Sequence, residues 1–328
     1  MRCLQALVQS SYPRIEILLV DNGCDDGSIK AAREQFSNMT VVASGANLGY
    51  AGGCNTGLLQ ANGKYAVLLN NDAVVTSSWL EPLVATMESD ESIAACQPKL
   101  LAWSDRKHFD YAGGAGGYLD YLGFPFCRGR VFMTLEQDHG QYDSPAEIFW
   151  ASGACCLLRI SVLQQIGLLD VDFFAHMEEI DLNWRMHLAG YRVVAVPTAV
   201  VFHQAGASLN AVSPIKTYLN HRNGLLILLK NYQASRLFWI LPVRLMLNWM
   251  HLLLEILRLR WRHAFMIAKS HLSVLFHLPK IMKKRAHSRN CRRVLDHEVQ
   301  SKFYSHSIVW EYFVKRRHRY SQLADHGR

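Results

Sequence analysis

Short apolar segments rich in β-branched residues alternate with helix-like segments through residues 15–203. Residues 15–20 (IEILLV) lead into Asp21-Asn22-Gly23, and residues 65–69 (YAVLL) lead into Asn70-Asn71-Asp72. This alternation predicts an α/β domain with a Rossmann-like, mostly parallel sheet and flanking helices. Because ligands bind beyond the carboxyl ends of the strands in such sheets, we expect both polar clusters to lie at a ligand site.

The same reading assigns the other elements of this domain. A Gly-rich stretch covers Gly45–Gly57. We expect loops and short strands over residues 104–147, and two short strands over residues 192–202, broken at Pro197. The remaining expected elements are helices over 2–10, 28–36 and 178–189, a further helix ahead of 65–69, and strands over 40–43 and 150–159.

The charge is divided unevenly along the chain. Residues 1–215 carry 13 Lys and Arg against 22 Asp and Glu, whereas residues 216–328 carry 22 against 5. We therefore predict an acidic catalytic domain over 1–215 and a basic, apolar helical region over 216–328. No recognised nucleic-acid-binding motif accompanies the basic region, so no nucleic acid partner is expected.

Within the basic region, residues 237–262 combine an apolar stretch with four arginines: Arg244, Arg258, Arg260 and Arg262. This pattern suits a helix that lies in the interface of an anionic membrane. A buried helical subdomain and an integral membrane subunit are the alternatives. The eight cysteines show no CxxC spacing, which argues against a zinc cluster or a disulfide framework and for a reducing cytosol. We expect a peripheral protein on the cytoplasmic face of the inner or plasma membrane.

Several polar residues have the chemistry of a metal or acid–base site. Asp72 follows a buried strand and can bind a hard divalent cation, although Asn and Asp also suit a simple turn. The acidic group Glu178, Glu179 and Asp181 can supply a general base, share a cation, or favour a helix N-terminus. His203 follows an apolar strand and is either a metal ligand or a structural histidine.

Two further clusters suit contact with a nucleotide. Asp21 can accept a hydrogen bond from a base or ribose, or it can cap its own turn. The glycines of NLGYAGGCN, including Gly49 and Gly53 after Asn47, allow a ligand to approach the backbone closely. The spacing differs from the GxGxxG dinucleotide fingerprint.

Taken together, these segments resemble the family-2 inverting glycosyltransferases of the GT-A fold, and the likeness is greatest to the bacterial rhamnosyltransferase-like branch. The resemblance covers residues 4–230 and rests on segments in the family's order: Tyr12-Pro13, VDNGCDDGS (20–28), NLGYAGGCNTG (47–57), LLNNDAVV (68–75), WASGACCLLR (150–159), IGLLDVDFFAHMEEIDLNWR (166–185), GYRVVAVPTAVVFH (190–203) and GAS (206–208).

This resemblance implies roles for individual residues. Asp21 would read the nucleotide base, and the cradle of the donor would include Asn47, Gly49, Gly53, Asn70 and Asn71. Asp72 and His203 would bind Mg²⁺ or Mn²⁺, with Asn70 in place of the first Asp of an Asp-x-Asp-type motif. Glu179 would be the catalytic base where the family usually has Asp, which leaves open whether Glu178 or Glu179 takes the proton.

The implied reaction transfers a sugar, with rhamnose as one candidate, from a nucleotide diphosphate donor with inversion at the anomeric carbon. The implied acceptor is a lipid-linked intermediate or a cell-surface glycan. The alternative functions are a nucleotide-sugar-binding protein with impaired catalysis and a membrane subunit of a polysaccharide synthesis system.

The resemblance also implies a strand ahead of the first helix, beside residues 15–20. Met1 falls within that helix, so the strand is missing from the sequence. We expect an upstream segment to supply it, and without it we expect one edge of residues 15–20 to be exposed and prone to aggregation. The alternative is that the neighbouring strands close the gap.

Overall fold

The computed structural model describes residues 1–204 and 213–323. The GAS segment at 206–208 lies outside the described residues. Twelve strands are described: β1 (Leu18–Asp21), β2 (Thr40–Ala43), β3 (Tyr65–Leu69), β4 (Ala73–Val75), β5 (Ile93–Ala102), β6 (Gly117–Leu119), β7 (Pro125–Cys127), β8 (Arg130–Val131), β9 (Thr134–Leu135), β10 (Ala146–Glu147), β11 (Cys155–Arg159) and β12 (Arg192–His203).

The described helices alternate with the strands at first and then follow one another without interruption. They are α1 (Arg2–Val8), α2 (Ser28–Gln35), α3 (Gly49–Leu58), α4 (Leu80–Ser89), α5 (Ile160–Ile166), α6 (Glu178–Leu188), α7 (Pro214–Asn231), α8 (Ala234–Leu257), α9 (Trp261–Phe276), α10 (Leu278–Cys291), α11 (Asp296–Gln300) and α12 (Ile308–Phe313).

The main sheet is mixed, and the prediction of a mostly parallel sheet is wrong. Its strand order is β10-β12-β5-β11-β3, with β4 also paired to β12. Among the described strands of this sheet, only β5 and β12 form a parallel pair, because β11 enters antiparallel between β5 and β3. The direction of β11 could not be read from its sequence, since a fully buried strand is apolar in either orientation.

Two local predictions also need correction. The Gly-rich stretch forms most of α3. Its glycines allow close packing there, since a Cβ on Gly52 would lie 2.5 Å from Leu48 and one on Gly53 would lie 3.1 Å from Asn22. Pro197 does not divide residues 192–202 into two strands. It falls where the register of the single strand β12 against β5 shifts between Val196 and Val200, so the irregularity accommodates the missing N–H.

The C-terminal helices share their hydrophobic core with the sheet domain. One cluster joins Phe149 and Trp184 to residues 225–229 of α7 and to Val274 of α9. A second joins Phe109 and Phe126 to Tyr304, Ile308 and Tyr320. Residues after 215 are therefore packed into the same body as the catalytic site. All eight cysteines are free.

A gap separates β1 from β3. Strand β1 pairs in parallel with β2 alone among the described strands, and β3 pairs with β11 alone. Both strands line the same large cavity, and every residue of β1 is partly exposed. The neighbouring strands thus do not close together, and each presents an unpaired edge to the gap.

Candidate active site

Strand pairing brings Asp72 and His203 together at one end of the main sheet. Asp72 follows β3 and directly precedes β4, and β4 pairs antiparallel with β12 so that Ala73 lies opposite His203. The Oδ1 atom of Asp72 lies 3.1 Å from Nε2 of His203, and the side-chain amide of Asn70 lies 3.1 Å from the same nitrogen. Asn71 is exposed and lines the adjoining cavity.

The other ring nitrogen of His203 contacts a second carboxylate. Its Nδ1 lies 2.9 Å from Oδ1 of Asp110, a residue only 1% exposed. Burial alone would lower the pKa of His203, but the hydrogen bonds and charges of Asp110 and Asp72 outweigh it and raise the pKa to about 9. A carboxylate on Nδ1 orients the ring with Nε2 facing Asp72, the arrangement that outer carboxylates give to metal-binding histidines.

The donor set at this point fits a divalent cation that displaces the proton from Nε2 of His203, because a histidine binds a metal only through a deprotonated ring nitrogen. Oδ1 of Asp72 is buried, and it lies 3.1 Å from Nε2 of His203 at the edge of the cavity. No group of three or more His, Cys, Asp or Glu in residues 1–204 and 213–323 is arranged to hold a metal by itself. Two protein ligands suit Mg²⁺ or Mn²⁺ when substrate phosphates complete the coordination.

A strained segment delivers Glu178 and Glu179 to the cavity. Phe174, His176 and Met177 have φ values of 64°, 68° and 71°, which non-glycine residues adopt at a cost of about 1–3 kcal/mol each. The fully buried Asn223 of α7 holds this segment, because its Nδ2 donates to the carbonyl oxygens of Phe173, Ala175 and His176 at 3.1, 2.9 and 2.7 Å.

A neighbouring residue of α7 holds the start of the same segment. The Arg222 guanidinium donates to the carbonyl oxygens of Asp172 and Phe173 at 2.7 and 2.8 Å. Consecutive residues of α7 thus fix the backbone that leads into α6, which begins at Glu178. Sequence reasoning missed both residues, because a polar pair in a helical segment gives no sign of which distant carbonyl groups it contacts.

The two glutamates occupy different electrostatic environments. Burial and the charge of Glu179 raise the pKa of Glu178 well above its ordinary value. Burial also raises the pKa of Glu179, to about 7, although backbone hydrogen bonds oppose the shift. Oε2 of each side chain is buried without a hydrogen-bond partner among the described residues. Glu178 is therefore held neutral, whereas Glu179 can lose its proton near neutral pH and accept one from a substrate.

The third carboxylate of this helix, Asp181, is held in ion pairs and does not suit an acid–base role. It accepts from Nε of Arg185 at 3.1 Å and contacts Nζ of Lys230 at 2.8 Å, and it is fully buried. Burial would raise the pKa of Asp181, but the charges of Lys230 and Arg185 outweigh it and lower the pKa. Lys230 also pairs with Asp170, so this network fixes α6 against α7.

The residues expected to cradle a nucleotide surround the start of α3. Asn47, Gly49 and Gly53 line the cavity. Gly49 has a φ of 70° and lies so close to Phe174 that a Cβ would approach within 2.5 Å, so only glycine fits there. The Oδ1 atom of Asn47 accepts from the Gly49 amide at 2.9 Å.

Asp21 caps its own turn, since its Oδ1 accepts from the amides of Gly23 and Cys24 at 3.2 and 3.0 Å. It is absent from the described lining of the cavity, where the next residue, Asn22, appears instead. Of the two interpretations of Asp21, the structure displays the capping contact. Asn22 accepts from the Leu48 amide at 3.0 Å and so joins the end of β1 to the α3 start.

Two cations on the cavity wall have no counterpart among the sequence-based candidates. Lys216 and Arg130 both contact the face of Tyr111, with Nζ and Cζ at 5.3 and 4.6 Å from the ring centroid. Burial and the nearby charge of Arg130 lower the pKa of Lys216. Neither cation forms an ion pair with a carboxylate in residues 1–204 or 213–323, so both can contact a substrate anion.

One cavity of about 2570 Å³ has most of the candidate metal-binding, acid–base and nucleotide-binding groups in its wall. Asp72 and His203 lie in it with Glu178 and Glu179, with Asn47 and with Lys216. The space far exceeds that of a single small ligand, and sites for drug-sized molecules span roughly 300–1,000 Å³. The cavity therefore has room for two substrates together with the gap beside β1.

Comparison with known proteins places these features in a family. The family described as glycosyl transferase family 2 matches residues 1–167, half of the chain. An N-acetylglucosaminyl-diphospho-decaprenol L-rhamnosyltransferase of Mycobacterium tuberculosis is 27% identical over 74% of this chain and 83% of its own length. The O-antigen biosynthesis protein RfbC of Myxococcus xanthus is 29% identical over 62% of this chain but only 16% of its own length.

Solved glycosyltransferases share the fold. GalNAc-T7, solved with UDP, GalNAc and Mn²⁺, superposes with a TM-score of 0.53 at 16% identity over 69% of this chain and 44% of that one. Residues 1–349 of S. aureus TarS with UDP superpose with a TM-score of 0.50 at 15% identity over 93% and 88%. The GT-A fold, with a mixed sheet and flanking helices, is thereby confirmed.

The contacts of Asn223 generate a prediction about the strained segment. Asn223→Ala removes three hydrogen bonds to Phe173, Ala175 and His176, so Glu178 and Glu179 lose their fixed position. We expect kcat to fall by about tenfold or more, since small displacements of catalytic groups are costly. Stability should fall by about 1–3 kcal/mol. Steady-state kinetics and thermal unfolding measure the two effects.

Asn55→Ala is the matched control. Asn55 also bridges two backbone groups, the amide and carbonyl of Leu169, but it does not contact residues 174–177. We expect a similar loss of stability with kcat reduced far less. Equal losses of kcat in the two variants at equal stability would show that Asn223 has no special part in positioning the glutamates.

Proposed function

Because the chain belongs to glycosyl transferase family 2, we propose that it is an inverting enzyme that transfers a sugar from a nucleotide diphosphate donor. The observation that carries the proposal is that Glu178, which is buried, and Glu179, which is half-buried, share one cavity with Asp72 and His203. One carboxyl group is held neutral, and the other has a pKa near neutrality, which matches the requirement for a single general base.

In the proposed reaction, Glu179 accepts the proton of the acceptor hydroxyl as the hydroxyl oxygen attacks the anomeric carbon of the donor sugar. The bond from that carbon to the diphosphate oxygen breaks as the new glycosidic bond forms, so the anomeric configuration inverts. Glu178 stays protonated and limits the negative charge beside Glu179. Lys216 and Arg130 attract the negatively charged diphosphate into the cavity.

Asp72 and His203 would hold Mg²⁺ or Mn²⁺, with Asp110 orienting the His203 ring. When bound, the cation would offset the charge that develops on the departing nucleoside diphosphate. Asn47, Gly49, Gly53, Asn70 and Asn71 form the nearby wall, where the donor would bind. The position of the buried Oδ1 of Asp72, 3.1 Å from Nε2 of His203, supports this assignment.

The acceptor is proposed from the relatives. The name of the mycobacterial relative specifies a rhamnosyl group and an acceptor on a diphospho-decaprenol lipid. We propose a deoxyhexose such as rhamnose as donor sugar, and a lipid-linked or cell-surface glycan as acceptor. A nucleotide-sugar-binding protein without transfer activity is the second candidate, and the gap between β1 and β3 is the observation that favours it.

The first prediction of this proposal concerns the base. Glu179→Gln keeps the size of the side chain and removes its basicity, so turnover should fall by about 100-fold or more while donor binding survives. Glu178→Gln imitates the protonated form and should retain most activity. The readout is nucleotide release and product formation across a panel of nucleotide sugars. Loss of activity in Glu178→Gln with normal turnover in Glu179→Gln would move the base to Glu178.

The second prediction concerns the metal. Asp72→Ala or an excess of chelator should abolish transfer, because the departing diphosphate loses its counter-charge. His203→Ala should raise the Mg²⁺ or Mn²⁺ concentration needed for half-maximal activity, and Asp110→Asn should raise it by about 10–100-fold through the orientation of His203. Full activity in excess chelator would end the metal assignment.

A further inference from the structure

Helix α8 buries three polar side chains beside Ile240 and exposes many of its large apolar side chains to solvent. The buried residues on it include Arg244, Asn248 and Glu255, which are 2–4% exposed. Its solvent side carries a continuous set of large apolar residues, each 39–72% exposed: Phe238, Trp239, Val243, Met246, Trp249, Met250, Leu253, Leu254 and Leu257 (the last 70%). Contact of so many apolar side chains with water is unfavourable, and large exposed apolar patches mark interaction sites.

Helix α9 extends the same surface. Its buried positions are Ala264, Ile267, Ser270 and Val274, whereas Trp261, Phe265, Leu272, Leu275 and Phe276 are exposed by 54–79%. The connection between the two helices alternates apolar and basic side chains, since exposed Leu257, Leu259 and Trp261 are interleaved with exposed Arg258, Arg260 and Arg262. We call this combined outward surface of α8 and α9 the apolar face.

The charge around the apolar face selects its partner. Residues 234–276 contain six Lys and Arg against one acidic residue, and that residue, Glu255, is buried against Arg258. A second copy of the chain would bring two sets of these arginines together, which like-charge repulsion disfavours. An anionic membrane surface instead attracts them, and it accepts Trp and Leu side chains at the depth of the head groups.

The orientation of α8 follows from Arg244 near its middle. The Arg244 guanidinium donates to the carbonyl oxygen of Leu122 at 3.1 Å and lies 3.4 Å from the Phe124 ring centroid. By length and composition α8 could cross a membrane, and only 17% of its most apolar window is buried. A crossing helix would have to withdraw Arg244 from these contacts, whereas a helix parallel to the membrane keeps all of them.

We propose that the apolar face of α8 and α9 docks on an anionic bilayer, with both helices parallel to the membrane plane and neither spanning it. The catalytic cavity reaches this surface, because Glu179 shares the cavity wall with Met246, Met250 and Leu254 of α8. Docking therefore places the open side of the active site at the membrane, where a lipid-linked acceptor resides. The membrane contact itself does not depend on the proposed transfer reaction.

The test is co-sedimentation of the full chain with vesicles of equal parts phosphatidylglycerol and phosphatidylcholine, compared with phosphatidylcholine alone. We expect stronger partition onto the anionic vesicles. Leu257→Asp should weaken it by about tenfold or more, because a charge replaces an inserted side chain. Leu59→Asp is the matched control, since Leu59 is 73% exposed and lies at the end of α3, away from the apolar face. It should change partition by less than about twofold.

Three results would overturn the proposal. They are equal vesicle binding by Leu257→Asp and Leu59→Asp, retention of the protein on vesicles after an alkaline wash, and a dimer in sedimentation equilibrium that Leu257→Asp abolishes. The first result would show that the apolar face does not bind the membrane, and the second would show that α8 spans it. The third would show that the apolar face binds a second copy of the chain. Glu179→Gln should bind vesicles as the unaltered chain does, which separates this proposal from the transfer reaction.

Discussion

The three hydrogen bonds from Asn223 hold the backbone on which the whole active site depends. Phe174, His176 and Met177 adopt a conformation that non-glycine residues disfavour, and the amide of Asn223 contacts the backbone of this segment. Because α7 supplies Asn223 and α6 begins directly after the segment, the position of Glu178 and Glu179 depends on a helix beyond residue 215. The basic C-terminal region is therefore part of the catalytic structure as well as a surface.

The two ends of the cavity differ in the kind of group that they would bind. At the sheet end, Asp72 and Asp110 hold His203 between two carboxylates, a combination that favours a cation. At the α6 end, burial keeps protons on the glutamates and makes Glu179 ready to exchange one near neutrality. Lys216 and Arg130 also line the cavity and could offset the charge of a phosphate group. The separation of these groups would suit the proposed transfer from a nucleotide sugar, which needs separate sites for a cation, a phosphate and a proton.

The sequence was most informative where local chemistry decides the structure. Strand 65–69 and the start of α6 at Glu178 lie where the patterns predict. The joint placement of Asp72 and His203 was implied by the family resemblance, and the pairing of β4 with β12 brings the two residues together. The sequence was least informative where distant pairing decides. Three features depend on partners far away in sequence, which no local pattern reports. They are the antiparallel entry of β11, the contacts of Asn223 and the buried polar side chains of α8.

The pH dependence of kcat, measured with saturating donor and acceptor, tests the central claim most directly. The pKa of Glu179 lies at about 7, above the ordinary value of 4.5, so the base is protonated and inactive at lower pH. The account predicts that kcat falls about tenfold for each pH unit below this value and levels off above it. A kcat that stays constant from about pH 5 to about pH 8 in a stable protein would contradict Glu179 as the base.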